Sequence, residues 1–354
     1  MIEDTTLVAV LQLLSDGVER PWQQCLAQLR VPRAALDAQT QRMLADHGVV
    51  ISPVVISPVV VAPVLSSSFL SSSFLSTRGD DDDAALVIPG GSDRLDADAV
   101  LAGLVGATRA GVRELRVLWS TDSTNLRLLE RARGEDIDGC ALAAEHQSAG
   151  RGRRGRHWLS PVACNLYLSI GARLAVPEQM QALSLIVGVA VADALLHLGY
   201  AGIGLKWPND LQAEGRKLAG ILIESSGVTA QGITAVIGIG VNVRVPAYVG
   251  AQIDQPWIDL HEIAPRRHGR NTLCAAVLGA VTDALAAVRS GVGERYLARF
   301  GDHDVLRDRP VTVRSVDREE HGIARGIDAR GELLVEQTAG TRPVSAGEVS
   351  VRAG

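Results

Sequence analysis

"GLKWPNDLQAEGRKLAGILIES", residues 204–225, decides more of the fold than any other stretch of the chain. Apolar runs flank a Gly-containing turn, so the segment reads as two strands joined at Ala213–Gly215, with Lys206 leading the first and Lys217 opening the second. On a straight strand Lys217 shares a face with Ala219, Ile221 and Ile223, which would anchor its ammonium beside an apolar wall. A cation held in that way can serve an anion. Strand-end lysines that lie along the surface and reach solvent fit the same letters, and Pro208, Asn209 and Asp210 also spell an ordinary turn.

Three further stretches carry chemistry. In "AEHQSAGRGRRGRHW", residues 144–158, Gly150, Gly152 and Gly155 permit positive φ and close backbone approach, while Arg151, Arg153, Arg154 and Arg156 offer planar forks suited to carboxylate or phosphate. A solvated or RNA-contacting segment would look similar. "WSTDSTNLRLLERA", residues 119–132, sets Ser123, Thr124 and Asn125 at the start of an amphipathic helix, where free backbone N–H groups and short polar side chains coincide; simple capping accounts for it equally well. "VIGIGVNV", residues 236–243, is an apolar strand that delivers Asn242 at its end, and a buried Asn needs partners.

The rest of the chain frames these motifs. At 354 residues and 47% apolar content there is material for two or three domains, and a net charge of −5 argues against a protein whose main work is coating nucleic acid. Cys25, Cys140, Cys164 and Cys274 show neither disulfide-frame nor metal-ligand spacing, so a reducing cytoplasm and no protein-bound metal are expected. The N-terminus carries acids where a secretory signal carries Lys or Arg, and Val49–Leu65 is broken by Pro53, Pro58 and Pro63, so a soluble protein without a membrane partner is expected. Helical and strand patterns alternate over 95–299, with the clearest helix at Gln181–Leu198, which predicts a mixed sheet packed by helices. Beyond Gly301 four or five short strands joined by Gly and Asp turns predict a small β-barrel. Residues 5–48 read as short helices, a helix-turn-helix or another small bundle. Residues 51–83 repeat ISPVV and SSSFL and end in RGDDDD; a five-residue period matches neither helix nor strand, and a disordered or loosely attached edge segment is expected.

Taken in order, STDSTN, AEHQSAGRGRRGRHW, KWPNDL with GRKLAGILIE, and GIGVNV resemble the biotin–protein ligases, in particular the bifunctional bacterial type that doubles as a biotin-operon repressor. The resemblance covers roughly residues 93–354, with a weaker echo in the first 48. It implies an α+β fold: a winged helix-turn-helix-like domain (1–50), the 51–92 tract as a linker in place of a wing, a mixed-sheet catalytic domain of the class II synthetase-like biotin ligase fold (93–300), and a small SH3-like barrel (301–354). It implies that ATP and biotin are substrates, with Mg²⁺ on the pyrophosphate, and that a biotin carboxyl carrier protein is the acceptor. By the same resemblance Ser123, Thr124, Asn125 and Gln147 would take the ureido ring, and Arg151, Gly152 and Arg153 would form the loop over the carboxylate and phosphate. Lys217 would bridge those two anions, Lys206 would add charge, Asn209 and Asn242 would hold the adenylate, and Asp210 would receive the incoming amine. A lipoate or other acyl ligase on the same fold, or a DNA-binding regulator without ligase activity, are the competing functions, and a ligand-promoted homodimer is expected.

Physics supports the cationic roles independently. A carboxylate and an α-phosphate repel, and a cation about 4 Å from each is worth roughly 4 kcal/mol per pair at an effective dielectric of about 20, against about 1 in water. Charge argues the other way for operator DNA: residues 1–50 hold four arginines (Arg20, Arg30, Arg33, Arg42) against six acids (Glu3, Asp4, Asp16, Glu19, Asp37, Asp46), so weak or absent DNA binding is expected.

Overall fold

The computed structural model describes residues 93–354 apart from 181, 230–231, 266, 315–318, 346–349 and 354; before residue 93 it describes only 20–21, 25, 28, 50–53 and 84–87. The chain divides into two units, Met1–Ser92 and Asp93–Gly354. In the first, strands β1 (Arg20–Pro21), β2 (Val50–Pro53) and β3 (Ala84–Val87) form an antiparallel sheet in the order β1-β3-β2. Val50 pairs with Val87 and Pro53 with Ala84, so the two ends of the repeat tract meet in a ladder with β2 on its edge. The helices expected within 5–48 lie almost wholly outside the described residues.

The second unit is built on a seven-stranded mixed sheet in the order β4-β5-β6-β10-β9-β8-β7. Its strands are β4 (Glu114–Leu118), β5 (Cys140–Ala144), β6 (Leu166–Leu174), β7 (Ile203–Lys206), β8 (Asp210–Ala213), β9 (Arg216–Thr229) and β10 (Gly232–Val241); only β4 and β5 run parallel. The central strands are apolar on both faces because both are covered. One face carries Leu166, Leu168 and Ile170 of β6, Ala219 and Ile221 of β9, and Ala235, Ile237 and Ile239 of β10, all in one core with helices α2 (Leu183–His197) and α3 (Arg270–Arg289). The opposite face packs Leu142 and Val236 on Leu128 of helix α1 (Thr124–Arg131). By length and composition α3 could cross a membrane, but most of it is buried inside the protein.

The helix expected at Gln181–Leu198 runs over Leu183–His197. The hairpin reading needs one change. Lys206 ends β7 instead of leading a strand of the hairpin, and the hairpin proper is β8 and β9 around Glu214–Gly215. Gly215 takes φ 73, and Glu214 before it φ 53.

The C-terminal piece is a five-stranded antiparallel sheet, β14-β13-β12-β11-β15, from β11 (Pro310–Arg314), β12 (Glu319–Ile327), β13 (Leu333–Gln337), β14 (Gly340–Val344) and β15 (Ser350–Ala353). The indole N–H of the buried Trp207 donates to Gly331 O at 3.0 Å, which ties this sheet's β12–β13 turn to the segment that leads into Asn209.

Candidate active site

A cleft of ≈ 420 Å³ opens on the face of the sheet away from α2 and α3. Its floor is made by glycines of β9 and β10. A Cβ at Gly238 would fall 2.3 Å from Asn125 Oδ1, and one at Gly240 2.6 Å from the Trp158 ring, so glycine is needed for these side chains to lie against the sheet. Asn125 thus sits over Gly238, while Asn242 follows four residues along, roughly 13 Å away at about 3.3 Å per residue. The cleft has two ends.

At the first end one polar network joins α1 to β6. Gln147 Oε1 accepts from Thr124 N (2.9 Å) and from Thr124 Oγ1 (3.1 Å), and its amide donates to Ser160 Oγ at 3.0 Å. The Ser169 hydroxyl lies 2.6 Å from Asn125 Oδ1 and 2.7 Å from Thr124 Oγ1. Ser123 occupies the N-cap position of α1, but its side chain caps nothing; the free N–H of Thr124 is satisfied from a distant segment by Gln147. At the other end, both hydrogen bonds from the Asn242 amide go to backbone carbonyls, Lys217 O (3.3 Å) and Ile258 O (3.1 Å).

Between the two ends stand the cations. Arg151 Nη2 is 2.9 Å from Glu224 Oε1, Arg153 Nη1 donates to Asn209 Oδ1 at 3.2 Å, and Lys217 Nζ is 2.9 Å from Asp210 Oδ1 and 5.4 Å from the Trp158 ring centroid. Each cation rests on an internal acceptor. Burial, together with Arg154 and Arg156 nearby, holds the Arg153 guanidinium below its ordinary pKa although Asp210 pulls it up; positive charge is crowded here, and an incoming anion would relieve it.

The arginine loop is a small hairpin. Trp158 N donates to Gly150 O, Gly152 N to Arg156 O, and Arg154 and Gly155 turn the chain at φ 60 and 71. Gly150 is required because a Cβ would lie 2.3 Å from Trp158 O. Gly152 is extended (φ −120, ψ 176) with only ordinary contacts for a Cβ, so no steric need inside the protein asks for glycine there.

Of the residues singled out in the sequence, Ser123, Thr124, Asn125, Gln147, Arg151, Gly152, Arg153, Asn209, Lys217 and Asn242 all line this one cleft. Asp210 is reached through Lys217, whereas Lys206, opposite Asp210 on β7, is not among the lining residues. The expected face of Lys217 is corrected. Ala219, Ile221 and Ile223 point toward the helical core, but a β-bulge gives β9 one extra residue: Leu211 pairs with Ala219, and Gln212 with Lys217. The ammonium therefore emerges beside Gly220, about 3.5 Å from where a Cβ would be, and its apolar wall is Trp158. Sequence reasoning missed Trp158, Ser160, Ser169 and Glu224. The Gly-x-Gly at 238–240 within an otherwise apolar strand was the signal that something approaches closely there.

Residues 118–242 match the Biotin/lipoate A/B protein ligase family, and residues 308–352 match the Biotin protein ligase C terminal domain. The chain is 37% identical over 353 residues, 99% of each chain, to the bifunctional ligase/repressor BirA of Salmonella typhimurium. It is 38% identical over 268 residues (72% of this chain, 95% of the other) to the biotin–[acetyl-CoA-carboxylase] ligase of Mycobacterium tuberculosis. The biotin protein ligase of Aquifex aeolicus, solved with biotin and ATP, superposes with a TM-score of 0.58 at 26% identity, covering 68% of this chain and 100% of that one. A cleft that gathers three arginines and a lysine beside a polar pocket, on a sheet followed by a small antiparallel domain, and identity sustained over nearly the whole length of a relative, place this chain in the biotin protein ligase family.

Proposed function

We propose that this chain is an ATP-dependent biotin–protein ligase that joins biotin and ATP into biotinyl-5′-AMP and pyrophosphate, then passes the biotinyl group to a lysine of a biotin carboxyl carrier protein. The observation that carries the proposal is the gathering of Arg151, Arg153 and Lys217 on the wall of one cleft with Asn125 and Gln147.

In the first step a biotin carboxylate oxygen bonds to the α-phosphorus of ATP, and the bond to the β-phosphate oxygen breaks. Two anions must meet, so Lys217 and the guanidinium groups of Arg151 and Arg153 exchange their internal acceptors for the carboxylate and the phosphate. Ser123, Thr124, Asn125 and Gln147 orient the ureido ring, Gly152 lets the loop backbone approach the ligand, and Asn209 and Asn242 hold the adenylate. In the second step the lysine nitrogen bonds to the acyl carbon and AMP leaves. The amine, with an ordinary pKa of about 10.4, must shed a proton; Asp210, uncovered as Lys217 turns to the ligand, receives it. Closure of the arginine hairpin keeps water from the mixed anhydride meanwhile. Mg²⁺ is expected on the pyrophosphate; among the described residues no cluster of three or more His, Cys, Asp or Glu could hold it.

Incubating the chain with ATP, biotin and a carrier domain is expected to add one biotinyl mass to a carrier lysine. No mass gain, or gain from lipoate in place of biotin, overturns the proposal. The closing of the C-terminal sheet into an SH3-like barrel, the 1–50 winged helix-turn-helix and a ligand-promoted homodimer belong to the same reading. Its operator binding is weak or absent, since acids outnumber arginines in residues 1–50. A salt-dependent, sequence-specific gel shift with biotin and ATP would overturn that part.

A further inference from the structure

Among the described residues of the second unit, the most deeply buried ion pair lies outside the cleft. Arg270, at the start of α3, and Glu145, just past β5, are each 2% exposed, with Nη1 2.7 Å from Glu145 Oε2. The same Nη1 donates to Asn165 O at 3.2 Å, and Nη2 donates to Asp93 O. Glu145 Oε1 accepts from Leu95 N at 2.6 Å. Buried ion pairs contribute little net stability, because desolvation offsets their attraction. Here Arg270 Nε is in addition buried without a hydrogen-bond partner among the described residues.

What the guanidinium joins is specific. Glu145 stands two residues before Gln147, on a segment zipped to the start of α1 by Thr121 N to His146 O and Ser148 N to Thr121 O. Asn165 Oδ1 accepts from Val243 N (2.9 Å) and Arg244 N (3.1 Å), the two amides that follow Asn242. One side chain therefore reaches both ends of the cleft from behind. We propose that Arg270 is a positioning residue that sets the distance between the ureido end, through Glu145, and the adenine end, through Asn165. This rests on the ligase reading of the cleft.

The test is the double variant Glu145→Met/Arg270→Met, measured beside the wild-type chain. Replacing both charges with apolar groups leaves no orphaned ion, so the fold survives with an unfolding midpoint within a few degrees of the wild type. KM for biotin and KM for ATP are each expected to rise about tenfold, with kcat changed far less. Arg270→Lys, which keeps a charge beside Glu145 but loses the fork to Asn165 and Asp93, is expected to recover KM for biotin more than KM for ATP. KM values within twofold of wild type in the double variant overturn the proposal. If the double variant fails to fold, the same result in Arg270→Lys overturns it. Equal KM rises in Leu278→Ala, a buried change elsewhere on α3, would assign the effect to lost stability and also overturn it. A wild-type chain that transfers no biotin defeats the reading of the cleft itself, whereas unaffected variants of an active wild type defeat only the role of Arg270.

Discussion

Arg270 and Arg153 carry the same chemical group and use it in opposite ways. Arg270 is buried against a carboxylate and two carbonyls, so removing either partner leaves an ion stranded in low dielectric. Arg153 is partly exposed and donates to the neutral Asn209, Arg151 rests on Glu224 with its own guanidinium exposed, and Lys217 rests on Asp210 in a more buried pair. The two arginine contacts cost little to exchange, and the Lys217 contact needs a ligand anion to replace the carboxylate it leaves. The molecule thus separates charge that fixes distances from charge that changes partners when a ligand arrives.

The largest expected effect falls on the exchangeable set. Lys217→Ala should lower adenylate formation by roughly 10²–10³-fold, the usual loss when one preorganised donor to a developing charge is removed. Pyrophosphate release measured under saturating ATP checks this, and a loss under tenfold would move Lys217 out of the exchanging group.

Arg153→Gly comes next. Losing one charge-assisted contact of about 1.5–3 kcal/mol should speed release of the adenylate by roughly ten- to a hundredfold, at about 1.4 kcal/mol per decade, and slow its formation less. Single-turnover release separates the two; unchanged release would mean that the loop does not hold the intermediate.

The smallest effect sharpens the contrast from the buried side. Among the described residues Asp304 has no counterpart to Arg270: Oδ1 accepts from Leu306 N at 2.9 Å, and Oδ2 is buried without a hydrogen-bond partner. Burial raises its pKa, although the Leu306 amide and Arg307 pull it down, so the folded chain binds this proton more tightly than the unfolded one. Stability is then lost as pH rises from about 3.9 through the raised value. Asp304→Asn should raise the unfolding midpoint by about one or two degrees at pH 7, and the advantage should vanish below about pH 3.5. An advantage that persists in acid would point to packing instead of charge.

The four motifs were legible because each combines a backbone requirement with a side chain that has chemistry, and ten of the twelve residues they supplied line one cleft. Periodicity also announced α2, whose apolar residues face a sheet on one side and α3 on the other. What the letters concealed is non-local. Nothing near Glu145 announces Arg270, 125 residues away, and Ser169 looks like any strand serine until Asn125 is brought over it. Glu224 sits in a strand run and declares itself only when Arg151 and Asn125 converge on it.

The bulge in the β8–β9 ladder constrains how this hairpin can change over time. Side-chain direction in a ladder is a matter of odd and even counting, and Leu218 is the residue that breaks the count. Excising Leu218 alone would make Lys217 the neighbour of Ala219 and so leave it on the opposite face, whereas straightening the ladder with Leu218 kept would return Lys217 to the face of Ala219 and Ile221 and drive an ammonium into aliphatic packing. Losing the extra residue and losing the bulge that absorbs it should therefore be tolerated very unequally.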